Sequence, residues 1–320
     1  MKRAIKFFLS LLGLKQKKYI DSCFDRDARL YAKNSGLQGE TLPVIAAKMR
    51  ILCHTIEKAL SLSDCRADFG RDKINELIRL YQVYKSSEGK DKNAIELVEA
   101  IISVYAEHRV LHGLDISFIP KYLLNNSKTV IDCGAMPLQS TKDDFEAFSL
   151  IAHSRHSVRN YSSRTISEEI IAKAVELAQT APSACNRQAT KIYAITSTSK
   201  INAIKERHGG IRTFGQPGVI FVITQNLSLY INEYERNTWI VDGGIFCMNL
   251  LYALSSVGIV NCPVIWGGMD DEDKFICDLA HIPSNERPVV LVVGGYPPDD
   301  GVKTPCSSKR PVEDILHIVK

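Results

Sequence analysis

Apolar residues recur at three- and four-residue spacing through "LPVIAAKMRILCHTIEKAL" (42–60) and "GRDKINELIRLYQVYKSS" (70–87). The same period runs through "NAIELVEAIISVYAEHRVLHGL" (93–114). Such spacing gathers apolar side chains on one face and predicts amphipathic helices. "SSEGKDKN" is a polar break between two of them. Residues 1–125 are therefore expected to form an all-helical region.

The pattern changes near residue 126. Residues 126–144 are rich in Asn, Ser, Gly, Pro and Asp and read as a linker. From 145 onward, helical and extended patterns alternate. "DDFEAFSLIAHS" and "ISEEIIAKAVELAQTA" are helical, the second with Ile170, Ala174, Leu177 and Ala178 on one face. Thr165 with Glu168 fits a capping box at its start. "KIYAIT" (191–196), "GVIFVIT" (218–224) and "PVVLVVGG" (288–295) are short β-branched runs and predict strands. "DGGIFCMNLLYALSSVG" is apolar nearly all round, as in a helix buried in a core or a subunit interface. This order predicts an α+β domain with a central sheet.

Composition narrows the function classes. With 45% hydrophobic and 24% charged residues, the chain is globular in type. A net charge of +4, without a basic stripe interleaved with aromatics, argues against nucleic acid as a partner. The nine cysteines form no CxxC pair, so a structural zinc is not expected, nor any other metal site. Their scatter suits reduced thiols and a cytoplasmic location. Residues 1–20 carry six basic groups and no acidic one. They read either as a helix packed on its own protein or as a peripheral contact with the inner face of a membrane. His54, Glu57 and Lys58 fall within one turn and read as an exposed face with an intrahelical ion pair.

Four stretches of the second half have no evident structural need. "SRHSVRNY" (154–161) alternates Arg155, Ser157 and Arg159 around His156. "APSACNRQ" (181–188) follows a helix and offers Pro182, Ser183, Asn186 and Gln188. "VGIVNCPVIWGG" (257–268) contains Cys262 and Pro263. "VVGGYPPDD…SSKRPVEDIL" ends a strand at Gly294 and Gly295 and follows with Lys309 and Arg310.

These stretches, in this order, resemble the nitroreductase family of FMN-dependent oxidoreductases over about residues 145–320. The resemblance implies a three-layer sandwich with a mainly antiparallel sheet, and homodimers whose FMN sites are shared between subunits. It implies that Arg155, His156, Ser157 and Arg159 bind the FMN phosphate side, with Lys309 and Arg310 closing the far side. Guanidinium, ammonium and hydroxyl groups are the donors a phosphate needs. The spacing of Lys309 and Arg310 departs from the family's Lys-x-Arg, so which of the two reaches phosphate stays open. Asn186 and Gln188 suit the pyrimidine edge, because an amide both donates and accepts. Pro182 and Ser183 belong to the same loop, which in the family enters the other subunit's site. Cys262 and Pro263 would lie at the ring, and Gly294 and Gly295 would admit the cofactor's close approach.

The activity so implied takes hydride from NADH or NADPH and passes it to a small organic acceptor, in a ping-pong cycle through one cleft. No side chain is singled out as catalytic, because the cofactor carries the chemistry. The extra helical region suggests a biosynthetic or tailoring role. Two other readings remain: a flavin-binding protein without turnover, and an FMN-less scaffold or membrane-associated partner protein.

Overall fold

The computed structural model describes residues 14–124, 132–138, 144–268 and 270–320. Most of the basic N-terminus discussed above, residues 1–13, lies outside the described residues, as do 125–131 and 139–143 of the expected linker.

The helical region comprises α1 (Leu14–Asn34), α2 (Leu42–Leu60), α3 (Arg71–Ser86), α4 (Lys92–Leu111) and the single turn α5 (Lys121–Leu124). Pro43 sits in the first turn of α2, where its missing N–H costs nothing. Asp91 caps α4 by accepting from the Asn93 N–H. The apolar faces close one core around Met49, Cys53, Leu77, Tyr81, Ile101 and Tyr105. His54 Nδ1 faces Glu57 Oε2 at 3.3 Å, the intrahelical pair that the spacing predicts.

The second half holds α6 (Phe145–Ser154), α7 (Glu168–Ala178), β1 (Thr190–Ile195), α8 (Thr198–Arg207), β2 (Val219–Asn226), α9 (Thr238–Ser256), β3 (Val260–Ile265), α10 (Asp270–Ala280) and β4 (Glu286–Gly295). The four strands form one sheet in the order β1-β2-β4-β3, every pair antiparallel. Side chains alternate across a strand. Ile220, Val222, Leu291 and Val293 therefore meet Ile201, Ile204 and Ile276 of α8 and α10 on one face. Val219, Phe221, Ile223 and Val292 meet Ala174, Ala178, Leu250 and Leu254 of α7 and α9 on the other. With helices on both faces, β2 needs a continuous apolar run rather than an alternating one, and it is buried from Val219 to Gln225. The result is a three-layer sandwich.

Several sequence expectations change. The cap of α7 is Ser167, which accepts from the Ile170 N–H at 3.3 Å, and not Thr165. Leu177 faces outward at 49% exposure, while Ala174 and Ala178 carry that helix's packing. β3, α8 and α10 were not anticipated. β3 is an edge strand of six residues with a proline in it, so its alternation is too brief to stand out. α8 and α10 each bury only one or two apolar residues.

The two halves are docked rather than merely joined. Arg26 of α1 is buried and ion-paired to Asp270, at 2.5 Å, and to Asp273. Tyr31 Oη donates to the Asn232 carbonyl at 2.7 Å and packs with Ala189, Leu227 and Tyr230.

Candidate functional site

The segment after α6 runs alongside the start of β3. Ser157 bridges Asn261 in parallel, and the Val158 N–H donates to the Asn261 carbonyl at 3.0 Å. Further along, Tyr161 Oη donates to the Val158 carbonyl at 2.6 Å and the Ser162 N–H to the Tyr296 carbonyl at 2.8 Å. The basic segment is thus held at both ends.

On it, Arg155 Nη1 is buried and has no hydrogen-bond partner among the described residues. A buried guanidinium N–H left without an acceptor is costly, and an anion would relieve it. Burial pushes the Cys262 thiol up, opposed by Arg159, by a hydrogen bond with Ser157 and by Arg155. Arg155, Ser157 and Arg159 therefore converge on the start of β3. Arg159 Nη1 donates to the Ser157 carbonyl at 3.2 Å, and its guanidinium carbon lies 5.8 Å from the centre of the Phe214 ring. His156 Nδ1 lies 3.1 Å from the Ser154 carbonyl oxygen, so this ring nitrogen turns back onto its own loop.

β3 supplies a different surface. Cys262 and Val264 point into the core below, so Asn261, Pro263 and Ile265 share the other face. Asn261 is tied down beneath α9, its Nδ2 donating to the Leu251 carbonyl at 3.0 Å. Beyond that helix Pro263 is exposed and Ile265 is 85% exposed. From Asn261 to Ile265 the strand rises about 13 Å. A half-buried cation with one buried, unpartnered N–H group thus marks one end of an apolar, open strand face.

Gly294 and Gly295 pair with Asn261 and Val260. A Cβ on Gly295 would lie 2.9 Å from Tyr161 Cβ and Cδ1, so packing against the basic segment already accounts for this glycine. A Cβ on Gly294 would meet Ile259 at 3.3 Å and Val219 at 3.4 Å.

The loop 181–188 lies elsewhere. Cys185, Asn186 and Gln188 all have positive φ, of 51°, 51° and 54°. The Gln188 N–H donates to Ser183 Oγ at 3.0 Å, and Gln188 Nε2 to Asn186 Oδ1 at 3.1 Å. The loop leads into Thr190, which pairs with Gln225, whereas the basic segment lies at Asn261, which pairs with Gly294 and through it faces Val219. Val219 to Gln225 spans roughly 20 Å along the sheet. One chain therefore does not bring Asn186 and Gln188 to Arg155. Lys309 and Arg310 lie in the exposed C-terminal segment, and among the described residues neither side chain makes a hydrogen bond or ion pair.

What holds the 181–188 loop was missed by the sequence reading. Asp242 accepts from the Ala184 N–H at 3.2 Å and from Tyr230 Oη at 2.9 Å. Arg187 is 1% exposed, pairs with Glu235 at 2.6 Å and donates to the Ala184 and Leu229 carbonyls. Burial lowers the Arg187 pKa, but the Glu235 pair outweighs it and the net shift is upward. Burial and the Asp242 charge push the Tyr230 phenol far up, so it stays a donor. The available signal was Asp242 itself, the one charge in the apolar run 238–256. Among the described residues no group of three or more His, Cys, Asp or Glu side chains could hold a metal ion.

Residues 152–209 match the model of the nitroreductase family. Over that stretch the chain is similar to nitroreductases. The match opens on the basic segment and includes the 181–188 loop. An Archaeoglobus fulgidus protein, named as an NADH dehydrogenase/NAD(P)H nitroreductase, is 29% identical over 46% of this chain and 84% of its own length. A Bacillus subtilis FMN reductase [NAD(P)H] is 23% identical over 50% of this chain and 69% of its own. A solved nitroreductase structure from Bacillus subtilis covers 54% of this chain and 99% of its own, at 18% identity and a TM-score of 0.48. The family match lies wholly within the second half of the chain.

Proposed function

We propose that the chain is an FMN-dependent NAD(P)H oxidoreductase acting on a small organic acceptor. The observation that carries this is the buried, partnerless Arg155 Nη1 beside Ser157, at the foot of an open apolar strand face. FMN fits that arrangement: a dianionic phosphate, a flexible ribityl arm and a flat, mostly apolar ring. Arg155, Ser157 and Arg159 would hold the phosphate, and Pro263 and Ile265 would support the ring. Bound there, FMN would supply hydride transfer between a reduced nicotinamide and the acceptor, in a cycle we take to be ping-pong. The protein's share is to bind the cofactor, orient it and keep water from the ring. Names of relatives support the reading, since one is an FMN reductase and another an NAD(P)H nitroreductase.

The working form would be a homodimer. The 181–188 loop and the basic segment stand about 20 Å apart along one sheet, so they would meet only across two chains. An exposed apolar patch supports this. Phe145, Phe148 and Leu150 of α6 and Ile240, Val241 and Ile245 of α9 all lie open, and the two helices touch at a Phe148–Tyr252 ring contact. The C-terminal Val312, Ile315, Ile318 and Val319 are also exposed and would wrap the partner.

The test is a visible spectrum of the purified protein, then anaerobic addition of NADH and NADPH, on wild type and Arg155→Ala. Flavin absorbance that bleaches on reduction, and is lost in the variant while the fold persists, is expected. Full flavin occupancy in Arg155→Ala would refute the phosphate assignment. A flavin that NADH and NADPH leave oxidised would refute the oxidoreductase reading.

A further inference from the structure

The helical half and the sandwich enclose a cleft of about 620 Å³. One wall comes from α2 and the α3–α4 turn, the other from α7, β1 and the 181–188 loop. Its size is that of an ordinary small-molecule site.

Its charge is one-sided. Four cationic side chains line it, Arg50, Lys90, Arg187 and Lys191, against one acid, Asp91. The whole chain is nearly balanced, with 40 basic and 36 acidic residues, so this excess is local. Asp91 is already occupied: it pairs with Arg50 Nη2 at 3.2 Å and accepts from the Asn93 N–H at 2.9 Å. Arg187 is matched by Glu235. Lys90 Nζ rests 2.6 Å from a carbonyl, that of Lys85, and not on a carboxylate. Lys191 makes no ion pair among the described residues. Two cations thus remain without a countercharge. A second cleft of about 650 Å³, wholly within the helical half, carries three acids and three bases and shows no such bias.

We propose that the cleft between the halves binds a small organic anion, one bearing phosphate or carboxylate on an apolar or planar body. Concave walls of low dielectric focus the field of uncompensated cations on such a ligand. Leu42, Ala46, Ile192 and Phe246 offer surface for its body, and Asn93 and Gln179 offer amides for its polar edges. The cleft shares the 181–188 loop with the flavin site but none of Arg155, Ser157 or Arg159. The helical half then has a purpose that the family fold alone does not supply: it completes a second binding site.

The experiment is calorimetric titration of full-length, flavin-loaded protein with AMP, with citrate and with neutral adenosine. AMP or citrate binds and adenosine binds at least tenfold more weakly; which anion binds decides between phosphate and carboxylate. Replacing Lys90→Gln and Lys191→Gln together weakens the anion at least tenfold, about 1.4 kcal/mol. Both side chains are exposed, so the variant keeps its melting temperature. The proposal is overturned if neither anion binds, if adenosine matches AMP, if the double variant binds as wild type does, or if AMP displaces FMN. Should the protein purify colourless, the same titration tests the cleft on its own, so the flavin reading and this one fail separately.

Discussion

Gly295→Ala is the sharpest test of how the basic segment is held. A Cβ there would fall 2.9 Å from Tyr161 Cβ and Cδ1 and 3.0 Å from Cγ, below any ordinary carbon contact. Tyr161 cannot swing aside freely. It is 6% exposed, and its hydroxyl is fixed to the Val158 carbonyl at 2.6 Å. Relief must come from moving the segment 157–161 or the end of β4. Overpacking of this kind costs about 1–3 kcal/mol. For a domain of this size that is roughly 2–4 °C in Tm per kcal/mol. Gly294→Ala is the control, since its Cβ would meet Ile259 and Val219 at 3.3 and 3.4 Å, contacts that small shifts absorb. Urea unfolding of both variants, with flavin content measured in parallel, reads the effect. Gly295→Ala should lose both stability and flavin, because the strain lands on the segment that carries Arg155, Ser157 and Arg159. Tyr161→Ala combined with Gly295→Ala should show a favourable coupling, as the smaller side chain makes room. If Gly295→Ala unfolds within about 0.5 kcal/mol of wild type, the range of an inconsequential surface substitution, the packing argument is wrong.

Asp242→Ala should destabilise by about 1–3 kcal/mol, as read by urea unfolding, because the Ala184 N–H loses its acceptor and Tyr230 Oη is left with Gln225 alone. It should also weaken flavin retention, as read by the visible spectrum. Arg26→Ala should cost less than Asp273→Ala in the same assay. Asp273 would keep Arg287 at 2.6 Å and Trp266 at 2.7 Å, whereas removing Asp273 strips a partner from Arg26, Arg287 and Trp266 together. The thiol of Cys247 is pushed up to about 11 by burial, so it stays protonated through pH 9 and resists alkylation. Iodoacetamide followed by mass mapping should label exposed Cys306 well before Cys247, Cys262 or Cys53. The sign for Cys247 follows from linkage. Its raised pKa favours the protonated folded state, a stability present at neutral pH and lost as pH climbs toward 11, checked by melting temperature between pH 7 and 10.

Helices α2, α3 and α4 were legible in the sequence because each buries a full stripe. Met49, Cys53 and Ile56 of α2 are fully buried at the spacing that predicts the helix. β2 was legible because both its faces are covered. β3 was not, since an edge strand that buries Cys262 on one side and exposes Pro263 and Ile265 on the other carries little pattern. The site was legible in part for the same reason. Arg155 and Ser157 stand out as polar groups in an ordered domain, but what holds the 181–188 loop lies up to 58 residues away, in Asp242. Long-range hydrogen bonds leave no periodicity.

The strain in that loop explains why its supports are buried. Cys185, Asn186 and Gln188 hold positive φ without being glycine, and each such residue costs on the order of 1 kcal/mol. A surface loop would relax out of that shape. Here Asp242 takes the Ala184 N–H, Arg187 takes the Ala184 carbonyl, and Glu235 and Tyr230 hold those two groups in turn. The anchors are charged and nearly free of solvent, so the loop cannot exchange them for water at low cost. Ala184 is therefore gripped through both its N–H and its carbonyl, at the cost of burying an ion pair and a carboxylate. A loop that served only to connect α7 to β1 would not need this. The homodimer proposed above, in which the loop would present Asn186 and Gln188 to a second chain, calls for it.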